Sequence, residues 1–134
     1  MDPAGALADL TEISSQVEAA AVLDGDGTVL ASTASDDAVG GRLAETAREL
    51  LAAAAEAPVA TGRELTQLEV ALPHGSVFVV RHGGRTLVAT TGAEPPSGLV
   101  LYDLRTCLRA LEEPPAPKPR ARRRSAVGSG GDDA

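Results

Sequence analysis

Residues 17–33, with the sequence VEAAAVLDGDGTVLAST, constrain the possible fold more than any other segment of the chain. Two apolar runs flank the tetrapeptide DGDG at residues 24–27. Aspartate and glycine tolerate the positive φ that a tight turn between antiparallel strands requires. The segment is therefore predicted to form a β-hairpin with strands at Val17–Leu23 and Thr28–Thr33.

Helical spacing and strict alternation predict the other elements. Leu7, Leu10 and Ile13 recur as one face of a helix, and residues 64–72 alternate with the period of two that indicates a strand with one well-buried face. The predicted elements are, in chain order, a helix ending near Ser14, strands Val17–Leu23 and Thr28–Thr33, a helix from Asp36 or Asp37 to Ala57, strands Glu64–Leu72, Ser76–Arg81 and Thr86–Thr91, and a helix at Leu99–Leu111. This α-ββ-α-βββ-α order predicts an α/β (α+β) fold with a five-stranded antiparallel sheet.

The second predicted helix has an uncertain start and an unusual face. Gly40 and Gly41 each cost a helix about 1 kcal/mol relative to alanine, so the helix could begin as late as Arg42. One of its faces carries mostly small side chains, which would allow another helix to approach closely: Ala44, Ala47, Leu51 and Ala55.

Only two residues of the chain are aromatic, so the core must consist of Leu, Val and Ala, and burial in an oligomer would add to it.

Charge divides the chain near residue 113. Residues 1–113 carry seven Arg, no Lys and seventeen Asp or Glu, for a formal charge of −10, whereas residues 114–134 carry +3. An acidic body argues against nucleic-acid binding by the folded domain. The Pro-, Arg-, Gly- and Ser-rich tail is predicted to be disordered and solubilising. Its basic run at 120–124 could also contact an anionic lipid or a nucleic acid, or fold back on the acidic domain. No apolar run has the length of a signal peptide or a transmembrane segment, which predicts a cytoplasmic protein.

No group of residues predicts catalysis or cofactor binding. The spacing of Asp24 and Asp26 resembles the start of a calcium loop, but the later ligand positions are filled by other residues. His74 and His82 lie in predicted turns without further ligands nearby, and Cys107 is predicted to be a buried structural thiol. The expectation is a protein without a catalytic, metal or cofactor site.

The hairpin LDGDGTVLAST, the alanine-rich helix after it, the element order and the closing helix GLVLYDLRTCLRAL together resemble the Roadblock family. The resemblance covers residues 6–112. This family includes a dynein light chain and bacterial regulators of small Ras-like GTPases, and its fold is a Roadblock/profilin-like sandwich. The bias towards Ala, Arg and Gly is typical of a high-GC bacterial genome.

The resemblance implies a homodimer in which the third strands pair across a two-fold axis and the second helices lie side by side. The length of the strand at Glu64–Leu72 agrees, since a long unpaired edge requires a partner or protection. The residues expected at this interface are Ala44, Ala47, Leu51, Ala55, Leu65, Gln67, Leu68, Glu69 and Val70.

The resemblance also implies binding of a Ras-like small GTPase through the paired second helices, without a donated catalytic group. The positions expected to contact it are Arg42, Glu45, Arg48, Glu49 and Ala52. An arginine finger from Arg42 or Arg48 stays open at this point. The alternatives are a dimeric scaffold for a signalling protein such as a sensor kinase, which would use the same surface, and a small-molecule sensor, which would need convergent polar groups in a cavity.

Overall fold

The order of elements is the one that the sequence predicts. The computed structural model describes residues 1–57 and 66–112, which form three helices and a five-stranded antiparallel sheet. The elements are α1 at Pro3–Ile13, β1 at Val17–Leu23, β2 at Val29–Ser32, α2 at Asp37–Ala55, β3 at Gln67–Leu72, β4 at Gly75–His82, β5 at Arg85–Thr91 and α3 at Ser97–Glu112. The predicted fold class is confirmed. Residues 58–65 and 113–134, which include Leu65 and the predicted tail, lie outside the described residues.

The hairpin turn is built by aspartate side chains that bind the backbone. Asp24 Oδ1 accepts hydrogen bonds from the amides of Asp26 and Thr28, at 3.1 and 3.0 Å. Gly27 has a φ of +90°, which explains why glycine stands there. Hydrogen bonds to Asp24, and to the hydroxyl and amide of Thr28, lower the pKa of the exposed Asp26 carboxyl.

Helix α2 begins at the earlier of the predicted positions. Asp36 caps it by accepting a hydrogen bond of 2.9 Å from the amide of Ala38. Gly40 is buried in the first turns, where a Cβ would lie 3.2 Å from the side chain of Ser32. The glycine therefore allows α2 to approach β2 closely, and this packing offsets its poor helix propensity, so the alternative start at Arg42 is not observed.

The strands lie in the order β2-β1-β5-β4-β3, so β2 and β3 form the two edges. Helices α1 and α3 pack on one face, over a cluster that includes Phe78, Val80 and Leu104. Helix α2 packs on the other face against β1, β2 and β5. Each face of the sheet thus has its own hydrophobic core.

Cys107 lies between α1 and α3, as a buried thiol that donates a hydrogen bond of 3.5 Å to the carbonyl of Ala6. Burial, with a smaller contribution from Asp9, raises the pKa of this thiol to about 11. A thiol that stays protonated at neutral pH is a poor nucleophile, so the prediction of a structural cysteine is confirmed. None of the helices in the described part of the chain is long and apolar enough to cross a membrane.

Candidate functional site

Strand β3 presents an open edge. It pairs with β4 over six consecutive positions, from Gln67 opposite Val80 to Leu72 opposite Gly75, without a register shift. Within residues 1–57 and 66–112 it has no partner on its other side. Gly75, at the start of β4, allows this strand to approach the end of β5 closely, because a Cβ there would clash with the carbonyl oxygen of Thr91.

The register determines which backbone groups point outward from this edge. The amide of Arg81 donates to the carbonyl of Thr66 at 2.9 Å, so these two residues form a hydrogen-bonded pair. Antiparallel ladders alternate such pairs with pairs whose polar groups point away from each other. The amides and carbonyls of Gln67, Glu69 and Ala71 therefore face outward, where a further strand could bind.

One face of β3 is also incompletely covered. Leu68 and Val70 are half-buried and Leu72 is 54% exposed, although all three lie on the face that α2 covers elsewhere in the sheet. Val77 on β4 stands opposite Val70 and is half-buried too. We refer to Leu68, Val70, Leu72 and Val77 as the open strip. The sequence predicted a well-buried face for this strand; that prediction is wrong for the single chain, because α2 packs over β1, β2 and β5 instead.

The opposite face of β3 is fixed by polar contacts with α3. The hydroxyl of Ser97 donates to a carboxylate oxygen of Glu69, and the guanidinium of Arg105 donates to the side-chain oxygen of Gln67. On the other face, Leu68 and Val77 pack only at the margin of the α2-side core. The open strip on the other side is left for an additional contact.

All five positions that were predicted to contact a partner are exposed on α2: Arg42, Glu45, Arg48, Glu49 and Ala52. Arg48 differs from the others in its contacts. Its guanidinium donates to the carbonyl of Gly27 at 2.7 Å and to the carboxylate of Glu45 at 2.9 Å. Arg48 therefore holds α2 to the turn between β1 and β2.

The helix face predicted to pair with a second helix is largely internal. Ala44 is 1% exposed and Ala47 is fully buried, both against the sheet of their own chain. Leu51 is half-buried and Ala55 is exposed. The two buried alanines have essentially no surface to offer a second helix, so the small-residue face serves as a helix–sheet contact instead.

A different flank of α2 faces the open strip. Gly40 and Arg48 contact β2 and the β1–β2 turn, so the flank opposite to them is directed towards β5 and the strands beyond it. That flank carries the half-buried Leu50 and Ala54. Leu50, Ala54, Leu72 and Val77 are not among the residues that the sequence predicts at a dimer interface. Of these four, only Leu72 belongs to the apolar alternation of β3.

The histidines are not brought together into a site. His74 and His82 are both exposed, at separate turns of the sheet. In the described ranges, no three His, Cys, Asp or Glu side chains converge as metal ligands would. The features that stand out in this region are an open strand edge, an apolar strip and a charged helix face.

The fold and this surface define a class of small α/β domains that present an unpaired strand beside a helix on one face of a single sheet. A model of the Roadblock/LC7 domain matches residues 4–91. The chain therefore belongs to the Roadblock/LC7 family.

Solved structures with the same fold include a Roadblock/LC7 domain from Streptomyces avermitilis. It is 20% identical, with 84% of this chain and 96% of that chain covered and a TM-score of 0.74. A second S. avermitilis Roadblock/LC7 domain is 24% identical over 79% of this chain and 94% of that one, with a TM-score of 0.62. MglB from Myxococcus xanthus is 16% identical, with 81% of this chain and 80% of that chain covered and a TM-score of 0.61. No curated protein matches the chain at a significant level.

Proposed function

We propose that this protein is a non-catalytic, homodimeric regulator of a small Ras-like GTPase, formed by pairing of two β3 edges and docking its partner on α2. The observation that carries the proposal is the open edge of β3 beside the open strip. Membership of the Roadblock/LC7 family supports it, because the resemblance implies both the dimer and the GTPase.

Pairing of β3 with its counterpart satisfies two requirements at once. The outward amides and carbonyls of Gln67, Glu69 and Ala71 gain partners, and the two open strips meet across the new junction. A two-fold axis perpendicular to the sheet makes the paired strands antiparallel, so the contact is self-complementary. The result is one sheet of two copies, whose apolar face is continuous from one protomer to the other.

The same symmetry defines the docking surface. An axis perpendicular to the sheet leaves both copies of α2 on one side, so their exposed residues form a single platform. Arg42, Glu45 and Glu49 supply charge to it and Ala52 supplies a small apolar contact. Mixed charges of this kind favour orientation and rapid association with a partner of complementary charge.

The proposed regulator donates no catalytic group. Arg48, one of the two candidates for an arginine finger, is engaged by Gly27 and Glu45 of its own chain. Its withdrawal would break the contact between α2 and the hairpin turn. We infer that any effect on hydrolysis arises from repositioning of the residues of the GTPase.

The test combines the full-length chain with the Ras-like GTPases of the same genome, each loaded with GTP. We expect one of them to form a complex that contains two copies of this chain and to change its rate of nucleotide hydrolysis or exchange. Glu49→Arg, on the exposed face of α2, should weaken that complex at least tenfold, whereas Arg109→Glu, a matched charge reversal on α3, should not. The proposal would be refuted if none of these GTPases formed a complex with the chain. A complex with unchanged hydrolysis and exchange would favour the scaffold alternative, which uses the same surface.

A further inference from the structure

A groove runs between α1 and α3, on the face of the sheet opposite to α2. It has a volume of about 250 Å³ and is lined almost entirely by α1 and α3. The floor is apolar and includes Leu10, Cys107 and Ala110. Ile13, which is 64% exposed, stands at the side of the groove, so the groove offers apolar surface to an occupant.

The charged side chains that line this groove have one sign. Asp9 and Glu12 of α1 line it, and both are exposed. No Lys or Arg side chain is among the lining residues, and none precedes Arg42 in the sequence. A fitting occupant therefore combines positive charge with small or apolar side chains.

The chain contains such a segment a few residues after α3. Residues 118–124 read KPRARRR and carry five positive charges, and they are followed by the apolar residues Ala126 and Val127. In residues 1–113 no comparable run of positive charge occurs. Charge complementarity thus relates the groove to one segment of the same chain.

The position of the last described residue also allows the basic segment to reach the groove. They end at Glu112, two residues after Ala110, which is itself a groove residue. The six residues from Glu112 to Lys118 span up to about 20 Å when extended. Helix α1 has 11 residues and is thus about 16 Å long. The basic segment can therefore reach the whole groove, and a connection this short gives a millimolar effective concentration, at which weak ion pairs suffice.

We propose that residues 118–124 bind in the α1–α3 groove of their own chain, with the arginines beside Asp9 and Glu12. The bound segment covers the exposed side of Ile13 and bridges α1 and α3 above the buried Cys107. Because the groove and α2 lie on opposite faces of the sheet, this contact leaves the proposed docking platform free. It makes the α1–α3 face available to other molecules only when the segment is released, for example at high salt.

Cys107 is the only cysteine of the chain and lines the groove. Because it is 6% exposed, it reacts when α1 and α3 separate locally, and a segment bound across both helices slows that separation. The experiment measures the rate of the reaction of Cys107 with the uncharged reagent 4,4′-dithiodipyridine in full-length protein, at about 20 mM salt, where screening is weak. One variant replaces Lys118, Arg120, Arg122, Arg123 and Arg124 by serine. We expect its thiol to react about three- to tenfold faster than that of the unmodified chain. About 1 M NaCl should raise the thiol reaction rate of the unmodified chain to that of the variant.

The matched control replaces the four tail arginines by lysine, which keeps the charge, and should keep the slow reaction. Hydrogen exchange of the α1 amides provides a second measurement: neutralising the tail should accelerate exchange in residues 6–13 and leave β1 unchanged. Two charge reversals test whether the groove and the tail attract each other. Glu12→Arg alone, or replacement of the tail arginines by glutamate alone, should speed the thiol reaction. The two changes combined should slow it again.

Equal thiol rates and equal α1 exchange in the unmodified and serine-substituted chains at low salt would overturn the proposal. A reaction that slows as protein concentration rises would also overturn it, because the segment would then occupy the groove of another copy. The experiment contains no GTPase. Its failure therefore leaves the proposed function untouched.

Discussion

The two edges of the sheet differ in how the rest of the chain protects them. Strand β2 has four residues, carries an irregularity in its pairing at Val22/Leu23 and contacts both α1 and α2. Strand β3 has six residues in regular register, and its side chains form hydrogen bonds with Ser97 and Arg105 of α3, while Leu68 packs only at the margin of the α2-side core. Short, irregular and covered edges resist further pairing, whereas long and regular ones accept it.

This difference favours the β3 edge over the β2 edge as the site of the proposed pairing. Both edges expose apolar side chains: Leu30 of β2 is 41% exposed and Leu72 of β3 is 54% exposed. Exposure alone therefore does not separate the two. What separates them is that β3 presents a longer and unbroken row of outward backbone groups next to the open strip.

The largest effect is expected from proline at the outward positions. Ala71→Pro removes an outward amide and places a ring where the second strand would lie, while the ladder to β4 keeps its hydrogen bonds. We expect the dissociation constant of the dimer to rise at least about 100-fold, which corresponds to about 2.7 kcal/mol, as measured by analytical ultracentrifugation.

Two controls accompany this substitution. Ala71→Thr, a residue compatible with strands, should leave the dimer intact. Val29→Pro makes the same change on β2, next to the hydrogen bond between the amide of Asp24 and the carbonyl of Thr28, and should also leave it intact. If Val29→Pro dissociated the dimer and Ala71→Pro did not, the roles of the two edges would be reversed.

A somewhat smaller effect is expected where α2 covers β2. Gly40→Leu forces a side chain against Ser32 and should lower the free energy of unfolding by about 2 kcal/mol. Gly41→Leu is the matched substitution, because a Cβ at Gly41 meets nothing within 4 Å. It should raise stability by about 0.5–1 kcal/mol through helix propensity. Urea unfolding measures both; equal effects would show that α2 does not depend on close contact with β2.

A charge in the open strip should weaken the dimer without unfolding the chain. Leu72→Asp places two carboxylates near the junction and should raise the dissociation constant about tenfold, or about 1.4 kcal/mol. Leu30→Asp makes the same change on the exposed part of β2 and should have no effect on association. Light scattering over a dilution series measures both variants, and an unchanged Leu72→Asp dimer would exclude the open strip from the interface.

The smallest effect concerns the contact between α2 and the hairpin. Arg48→Ala removes the hydrogen bonds to Gly27 and Glu45. It should lower the free energy of unfolding by only about 0.5–1 kcal/mol, since Arg48 and Glu45 are largely solvent-exposed. Arg42→Ala on the same helix should change the free energy of unfolding little. Thermal unfolding distinguishes them, and a larger loss for Arg42 would contradict the role assigned to Arg48.

Local patterns were sufficient to predict most of the fold. The bounds of β1 coincide with the predicted Val17–Leu23, because a turn of Asp and Gly between apolar runs determines a hairpin from nearby residues alone. The capping of α2 by Asp36 and the burial of Cys107 followed from equally local signals. The element order and the family resemblance extended these predictions to the whole sheet.

The candidate site was predicted less well because it depends on contacts between distant residues. Ala44 and Ala47 suit a helix–helix contact and a helix–sheet contact equally, and only the position of α2 over β1 and β5 decides between them. The hydrogen bond from Arg48 to Gly27 connects residues 21 positions apart, and the periodicity of the sequence does not reveal such a contact. The half-exposure of β3 likewise follows from where α2 stops covering the sheet.

The most direct test of the central claim is hydrogen exchange of the outward amides of β3, followed by NMR at several protein concentrations. If two copies pair through this edge, the amides of Gln67, Glu69 and Ala71 are protected at high concentration, and they lose protection on dilution while the amide of Val29 exchanges rapidly throughout. Rapid exchange of all three outward amides at every concentration, in a protein that otherwise stays folded, would contradict the account.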